Sequence, residues 1–385
     1  MICRTGRLMS PEGAGGLPRA GLAGYWLFGQ DNLLKWSENL TNAAWHNSLS
    51  NVSPSTVPAP DGSQTSWKLH LDANASSFFY QGVSPFLAPG PGVFALWMRT
   101  VSGNDAVRLM AQEVAVGQNV ITVGLTEEWQ QFSVGQASTG QNVYNGYVYN
   151  AADGAARDVL LWHPQLNQGS AILPYIKTTD LQTILDLSGH GNTLQLGSTS
   201  GVDTNDPTLT RAGAVFDGVN DYCTRTFTAA LNPGSVSVIV VAKVSGNDGQ
   251  WRSAVCSRTA SGGPKGYLIY AGNDDVWQFW IGDGSTWRAA RAGAVTTDWA
   301  MVAGISDGSA ITAWLNLTKG TPTAAVMVPN NVSPLQVGVT DALLAALKGM
   351  IAAVLVYNRA LSDAEIARVY GWLKAELAPR GVTLG

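Results

Sequence analysis

Short apolar runs separated by clusters of Gly, Ser, Asn, Asp and Pro recur along almost the whole chain. Between Asn32 and Thr179 the runs are SWKLHLD, SSFFYQGV, GVFALWMRT, AVRLMAQEVAV, QFSVG, NVYNGYVYN and DVLLWHP. Short strands broken by turn residues at this spacing predict an antiparallel sandwich. In GVFALWMRT, alternation puts Val93, Ala95, Trp97 and Arg99 on one face and Phe94, Leu96 and Met98 on the other. Both faces are largely apolar, which makes this strand central. DVLLWHPQL reads as the last, buried strand of the set, stopped by Pro164 and then by Gly169 and Ser170. ILDLSGHGN reads as a short strand ending in a turn at Ser188, Gly189, Gly191 and Asn192.

The pattern changes at two places. Gly21-Leu22-Ala23-Gly24-Tyr25-Trp26-Leu27-Phe28-Gly29 is a brief apolar strand isolated from the runs that follow it. Near the C-terminus the period becomes helical: Ser362 and Glu365 form a capping-box signature, and Ile366, Val369, Tyr370, Leu373 and Leu377 then recur on one stripe. Pro379 and Gly381 end it, so a helix over 363–377 is expected to brace a sandwich. Arg368 and Lys374 lie toward its negative end.

Composition supports the β reading. Only 13% of the 385 residues are charged, while Gly numbers 43 and Trp 14, a balance of many turns and few ion-paired helical surfaces. The net charge of −4 divides evenly at Asp180 and gives no basic footprint for nucleic acid. Cys3, Cys223 and Cys256 are too few for a disulfide framework, match no metal spacing and are expected to be free thiols. Residues 1–20 read as a tail or attachment peptide. They lack the apolar run of ~7–15 residues that a secretion signal needs, and no segment approaches the ~18 of a membrane span. Synthesis in a cytoplasm is expected, with no membrane insertion.

Two resemblances sharpen this. Asn32-Leu33-Leu34-Lys35-Trp36-Ser37-Glu38-Asn39, then Asn42-Ala43-Ala44-Trp45 and Ala59-Pro60-Asp61-Gly62, then Trp162-His163-Pro164-Gln165-Leu166 and Pro174-Tyr175-Ile176, resemble the carbohydrate-binding-module-like jelly rolls of bacteriophage tail and virion proteins. The resemblance covers 32–179 and implies a jelly roll in contact with glycan. From Asp180 onward, the turn Asp186-Leu187-Ser188-Gly189-His190-Gly191-Asn192, the run Ala214 to Tyr222 and the run Gly349 to Ser362 resemble the laminin G-like, concanavalin A-like lectin domains. An Asp307-Gly308 hairpin falls between its paired strands. The fold class is therefore all-β: two antiparallel sandwiches of jelly-roll type, at 32–179 and 180–385, with one C-terminal helix. Laminin G-like domains often open on a Gly-Leu-x-x-Tyr-Trp-x-Phe type strand. Residues 21–31 supply that strand if the first sandwich is inserted into the second; the alternative is two beads in series.

Candidate chemistry is sparse. From Asp180 onward the only Glu residues are Glu365 and Glu376, both on the helix, and Asp274 and Asp275 point to opposite faces of an extended strand, so no close carboxylate pair exists for glycoside hydrolysis. His190 reads as a turn residue. Asp186, Asp217 and Asp221 offer hard oxygen ligands for calcium, as the lectin-like resemblance implies. Yet the strand where calcium-binding relatives carry Ile-Asp-Glu-Val reads Ile351-Ala352-Ala353-Val354, and Asp217 and Asp221 also suit an Asx-type turn around Gly218. No cofactor is the first expectation and calcium the second.

Aromatic residues remain. Trp45, Trp67, Trp97, Trp129 and Trp162 lie in or beside strand-like runs and read first as core. Tyr144, Tyr147 and Tyr149, in a polar strand, are candidates for an exposed sugar-stacking face. In DDVWQFWIGDG one of Trp277 and Trp280 must face away from the core. Trp280 with Trp287, Arg288 and Arg291 then forms a candidate patch for sugar or subunit contact. The expected function is a non-catalytic, tail-associated phage virion protein, not an enzyme, that recognises host-surface polysaccharide. It would attach to other virion subunits through the N-terminal peptide and assemble as a homotrimer. The alternatives are a structural or decorating virion component and, third, a polysaccharide-degrading enzyme.

Overall fold

The computed structural model describes residues 16–29, 31–83, 89–114, 116–140, 142–173, 175–178, 182–246, 249–259 and 262–385. Among these, 31–178 form one compact unit, and 16–29 together with 182–385 form another. Both are antiparallel β-structures, and one α-helix closes the chain. No helix of the described residues is long and apolar enough to cross a membrane. Cys223 and Cys256 are free and buried; Cys3 and residues 1–15 of the expected attachment peptide lie outside the described residues, and the rest of that peptide is not a free tail, because Leu17 is buried in the core beneath the helix and Pro18 O accepts from the Tyr357 hydroxyl at 3.1 Å.

The first unit is a sandwich of two five-stranded sheets. One runs, in spatial order, His46–Ser48, Phe78–Val83, Tyr144–Asn150, Asp105–Glu113 and Gly117–Leu125; the other runs Ser50–Pro54, Trp67–Leu71, Arg157–Gln168, Gly90–Thr100 and Gln130–Ser138. The core between them takes Phe94, Leu96 and Met98 from one sheet and Val107, Leu109, Tyr144 and Val148 from the other. Gly90–Thr100 is flanked on both sides, by 157–168 and 130–138, so it is an interior strand of its sheet.

Two local expectations need correction. The strand Arg157–Gln168 does not stop at Pro164 but continues to Gln168, with a bulge between Trp162 and Gln165. His163 takes a left-handed φ of 49° there, and the bulge places the proline where no ladder N–H is needed. The run AVRLMAQEVAV is not one strand either. Its strand ends at Glu113, and Gly117–Leu125, which no sequence signal marked, pairs back along it as a mostly exposed edge.

The incoming and outgoing segments of this unit are fastened to each other. Asn32 Nδ2 donates to Ile176 O (3.0 Å) and Pro164 O (3.3 Å), Ser37 Oγ bonds Tyr175 OH (2.7 Å), and Thr178 N donates to Ser37 Oγ (2.9 Å). The two ends of the recurring pattern, NLLKWSEN and WHPQL with its downstream tyrosine, thus meet in space. Pro174 lies outside the described residues.

The second unit has an eight-stranded sheet and a nine-stranded sheet. In the latter, Lys348–Tyr357 pairs with Val236–Val244, and Leu22–Leu27 pairs antiparallel along the same strand, Tyr25 opposite Leu355 and Trp26 opposite Val354. Trp26 and Phe28 are fully buried between the sheets with Val238, Phe279 and Val354. Gly308 takes φ 91° in the hairpin between Ala300–Ser306 and Ala310–Leu315. The helix Asp363–Leu377 begins in a complete capping box, Ser362 with Glu365. Its buried stripe packs on Ile239, Val241, Met301 and Leu355, the other face of the nine-stranded sheet; each large apolar side chain so buried contributes about 1.5–3 kcal/mol.

Candidate functional site

Strand alternation builds an aromatic surface on the first unit. In the sheet that contains Tyr144–Asn150, one set of alternate residues, Phe79, Leu109, Tyr144 and Val148, points into the core. The other set therefore lies on the outer face. The register places Tyr147 opposite Tyr80 on one side and Met110 on the other, and Tyr149 opposite Phe78 and Arg108. The result is a contiguous group of half-buried rings. Tyr80 and Tyr147 stack at 4.5 Å between centroids, Phe78 and Tyr149 are 5.1 Å apart, and Tyr147 and Tyr149 5.3 Å. His46 adds a fifth ring, 5.1 Å from Tyr80.

Arg108 borders this surface, its guanidinium carbon 5.6 Å from the Tyr149 centroid, tethered by Nε to Asn150 O (2.8 Å) and Nη2 to Ala75 O (2.5 Å). Burial, with the neighbouring phenols, pushes the Tyr147 hydroxyl up to about 12, and burial raises that of Tyr149. Both remain neutral donors at ordinary pH. The arrangement can stack the C–H faces of flat ligands and bond hydroxyls at the ring edges. None of its residues is a carboxylate, so it has no acid–base pair.

Tyr144 departs from the sequence expectation. It belongs to the opposite parity of the same strand, is fully buried, and donates from its hydroxyl to Gly92 O at 2.7 Å. It is a core residue. Phe78, Tyr80 and His46 were missed because nothing local links NVYNGYVYN to SSFFYQGV; only the register makes them neighbours.

On the second unit, Trp277 is buried and Trp280 is the outward residue of the pair. Trp280 packs with Trp251 (5.7 Å) and Tyr270 (6.4 Å), two residues the sequence reading did not single out. Its Nε1 donates to Gln278 Oε1 (2.8 Å), Gln278 Nε2 donates to Asp274 Oδ1 (2.8 Å), and Arg291 Nη2 donates to Asp274 Oδ2 (2.5 Å). Trp287 has the Arg258 guanidinium 4.9 Å above its ring, and Arg258 is paired with Asp341 at 2.6 Å. Arg288 pairs in register with the core residue Ile281, so it lies on the other face, bonded to Asp283 at 2.8 Å. The structure thus brings Trp280, Trp287 and Arg291 to one face and separates Arg288 from them.

The acidic candidates are turn staples. Asp186 accepts from Tyr25 N (3.1 Å) and Ser188 N (2.9 Å) on Oδ1 and from Ser188 Oγ (2.8 Å) and Asn192 N (2.9 Å) on Oδ2. Asp217 Oδ1 accepts from Val219 N at 2.7 Å around Gly218, and Asp221 Oδ2 accepts from Asp217 N at 2.8 Å. Among the described residues no three carboxylate, histidine or cysteine side chains converge to hold an ion. The oxygens of Asp186 are already occupied by donors, which does not fit a calcium ligand.

Burial, with the carboxylates of Asp217 and Asp206, raises Asp221 from 3.8 to about 6. The folded state therefore holds this proton more tightly than the unfolded one. The stability it contributes is present below about pH 4 and is lost as pH rises through about 6. Replacing Asp221 by Asn should remove a pH-dependent penalty of roughly 1–2 kcal/mol. Urea unfolding at pH 4 and pH 7 checks this: the variant should gain on the wild type at pH 7 and not at pH 4.

Residues 217–367 match the Laminin_G_3 family model, described as the concanavalin A-like lectin/glucanases superfamily; this is less than half of the chain. No curated protein matches it at a significant level. Similar solved structures include the botulinum neurotoxin serotype G binding domain, 13% identical with a TM-score of 0.39 over 50% of this chain and 49% of that one. Another is the CBM40 of Ruminococcus gnavus IT-sialidase bound to alpha2,3 sialyllactose, 16% identical with a TM-score of 0.32 over 37% of this chain and 85% of that one. The chain spans about half the length of the first of these. With the family match set on the sheets described above, the second unit carries a laminin G-like, concanavalin A-like lectin fold.

Proposed function

We propose that this protein is a non-catalytic, tail-associated component of a bacteriophage virion that recognises host-surface polysaccharide. The observation that carries the reading is the outer face of the first unit, where Phe78, Tyr80, Tyr147 and Tyr149 form a continuous ring surface edged by Arg108. A contiguous group of half-exposed rings on an outer sheet face marks an interaction surface. Neutral phenol hydroxyls at the ring edges suit a polyhydroxylated chain. The lectin-family match of the second unit and the phage-module resemblance of the first support the same reading. The virion setting, attachment through residues 1–20 and a homotrimeric assembly belong to this proposal.

The test is an array of purified bacterial surface polysaccharides probed with the full chain. Replacing Tyr80 and Tyr147 by Ala should weaken binding at least about tenfold, or about 1.4 kcal/mol, without loss of the folded state by circular dichroism. Release of reducing ends from any bound polysaccharide would contradict the non-catalytic part of the reading. Equal binding by wild type and the double variant would remove the platform from it.

A further inference from the structure

The strand Gly117–Leu125 is the outer edge of its five-stranded sheet. Asp105–Glu113 pairs along one side of it without a break, from Asp105 opposite Leu125 to Glu113 opposite Gly117, and no described strand pairs with its other side. A free edge offers its backbone donors and acceptors to any further strand, and folded proteins blunt such edges with charge, proline, shortness or a covering segment. This edge is not blunted. It is nine residues long, and from Val114 to Thr126 the sequence contains neither a charged residue nor a proline. Val114, Val116 and Val120 are exposed along it.

Other edges of the protein are managed. In the same unit His46–Ser48 has only three residues, Ser50–Pro54 ends on a proline, and Gly135 O on Gln130–Ser138 is taken by Asn119 Nδ2 at 2.8 Å. In the second unit Trp287–Ala294 carries Arg288 and Arg291, and its Ala289 O accepts from Thr323 Oγ1 at 3.2 Å. The outer face of the first unit also runs into the free edge. Val120 lies opposite Met110, Met110 opposite Tyr147, and Tyr147 opposite Tyr80, so the row of apolar side chains that contains the ring surface ends on the unpaired strand.

We infer that Gly117–Leu125 pairs antiparallel with the same strand of a second copy of this chain, joining two five-stranded sheets into one of ten strands. An identical partner is what the composition suits. A two-fold axis sets the segment against itself, and like charges facing each other across strands are destabilising; here there are none to face, and the exposed valines of each copy gain cover from the other. Because that axis stands perpendicular to the sheet, the ring surfaces of both copies face the same way, and a repeating polymer can engage the two at once. The pairing rests on the edge strand and not on what the rings bind. It joins chains two by two, so a three-fold assembly would be doubled by it rather than replaced.

Native mass spectrometry of the full chain at micromolar concentration tests it. The wild type should have twice the mass of the double variant Val120→Lys, Thr122→Lys, which puts two ammonium groups on the edge of each copy. Both positions are exposed, so the variant should keep the circular dichroism spectrum of the wild type. Amide exchange gives a second readout that needs no variant: 117–125 should gain protection between nanomolar and micromolar chain, while 287–294 does not. Three results would overturn the inference: equal masses for wild type and variant, a wild-type mass that is an odd multiple of the chain mass, or concentration-dependent protection that appears at another edge and not at 117–125.

Discussion

Trp26→Ala should lower the unfolding free energy of the second unit by about 3–5 kcal/mol, the range for emptying a large buried aromatic site. Trp26 is fully buried in the core between the two sheets, although it lies more than 150 residues before the next part of that unit. Its Nε1 donates to Asn192 O at 2.7 Å. The variant therefore loses packing and also leaves a buried carbonyl without its donor. The ring is accommodated by Gly24 on the same strand, where a Cβ would come within 2.2 Å of Trp26 Cη2. Around it, Asn192 Nδ2 donates to Ala23 O (2.8 Å) and Asp186 accepts from Tyr25 N (3.1 Å), so the strand Leu22–Leu27 is held from both sides. Amide exchange in urea is the measurement. Protection should fall in 236–244 and 348–357 while 157–168, in the other unit, keeps its own. Equal protection in the wild type and the variant would mean that the strand is dispensable.

Gly146→Val is the second large effect, about 3 kcal/mol on the first unit, at the upper end for overpacking a core. A Cβ at Gly146 would stand 2.3 Å from Phe94 Cδ2, and Phe94 is 1% exposed on the facing sheet. Neither partner can yield: the glycine is on a strand paired on both sides, and the ring is buried in the core that also holds Leu109, Val148 and, opposite it in register, Leu166. Chemical denaturation should show the loss, and Phe94→Leu in the same chain should restore part of it. If the double variant is no better than Gly146→Val alone, the ring is not what the added side chain meets. Because Gly146 lies between Asn145 and Tyr147, the same substitution should also reduce polysaccharide binding by displacing the strand that carries two of the platform rings.

The parts of this protein that depend on near neighbours were legible in the chain. The Ser362–Glu365 capping box and the stripe from Ile366 to Leu377 are interactions within a few residues, and they set the helix. Turn chemistry set the Asp307-Gly308 hairpin, and simple alternation required that one of Trp277 and Trp280 face outward. Where the signal weakened, the cause was local too: Gly117–Leu125 is an exposed edge strand whose residues carry no clear alternation, and Pro164 sits in a bulge that spares the strand its usual break.

What alternation cannot supply is which strand lies beside which, and how far each is slid. Parity within NVYNGYVYN already separates Tyr144 from Tyr147 and Tyr149, but which parity faces the core depends on the opposite sheet. That Phe78 and Tyr80 complete the ring surface, that Arg288 falls on the far side from Trp287, and that Asp186 spends its oxygens on backbone N–H groups are all consequences of pairing over long sequence separations. The sequence by itself determined two β-rich sandwiches, their turns and the terminal helix, because those follow from period and local hydrogen bonding. Only the tertiary structure decided which aromatic residues meet, because side chains on a sheet become neighbours through register, and register is fixed by the packing of residues far apart in the chain.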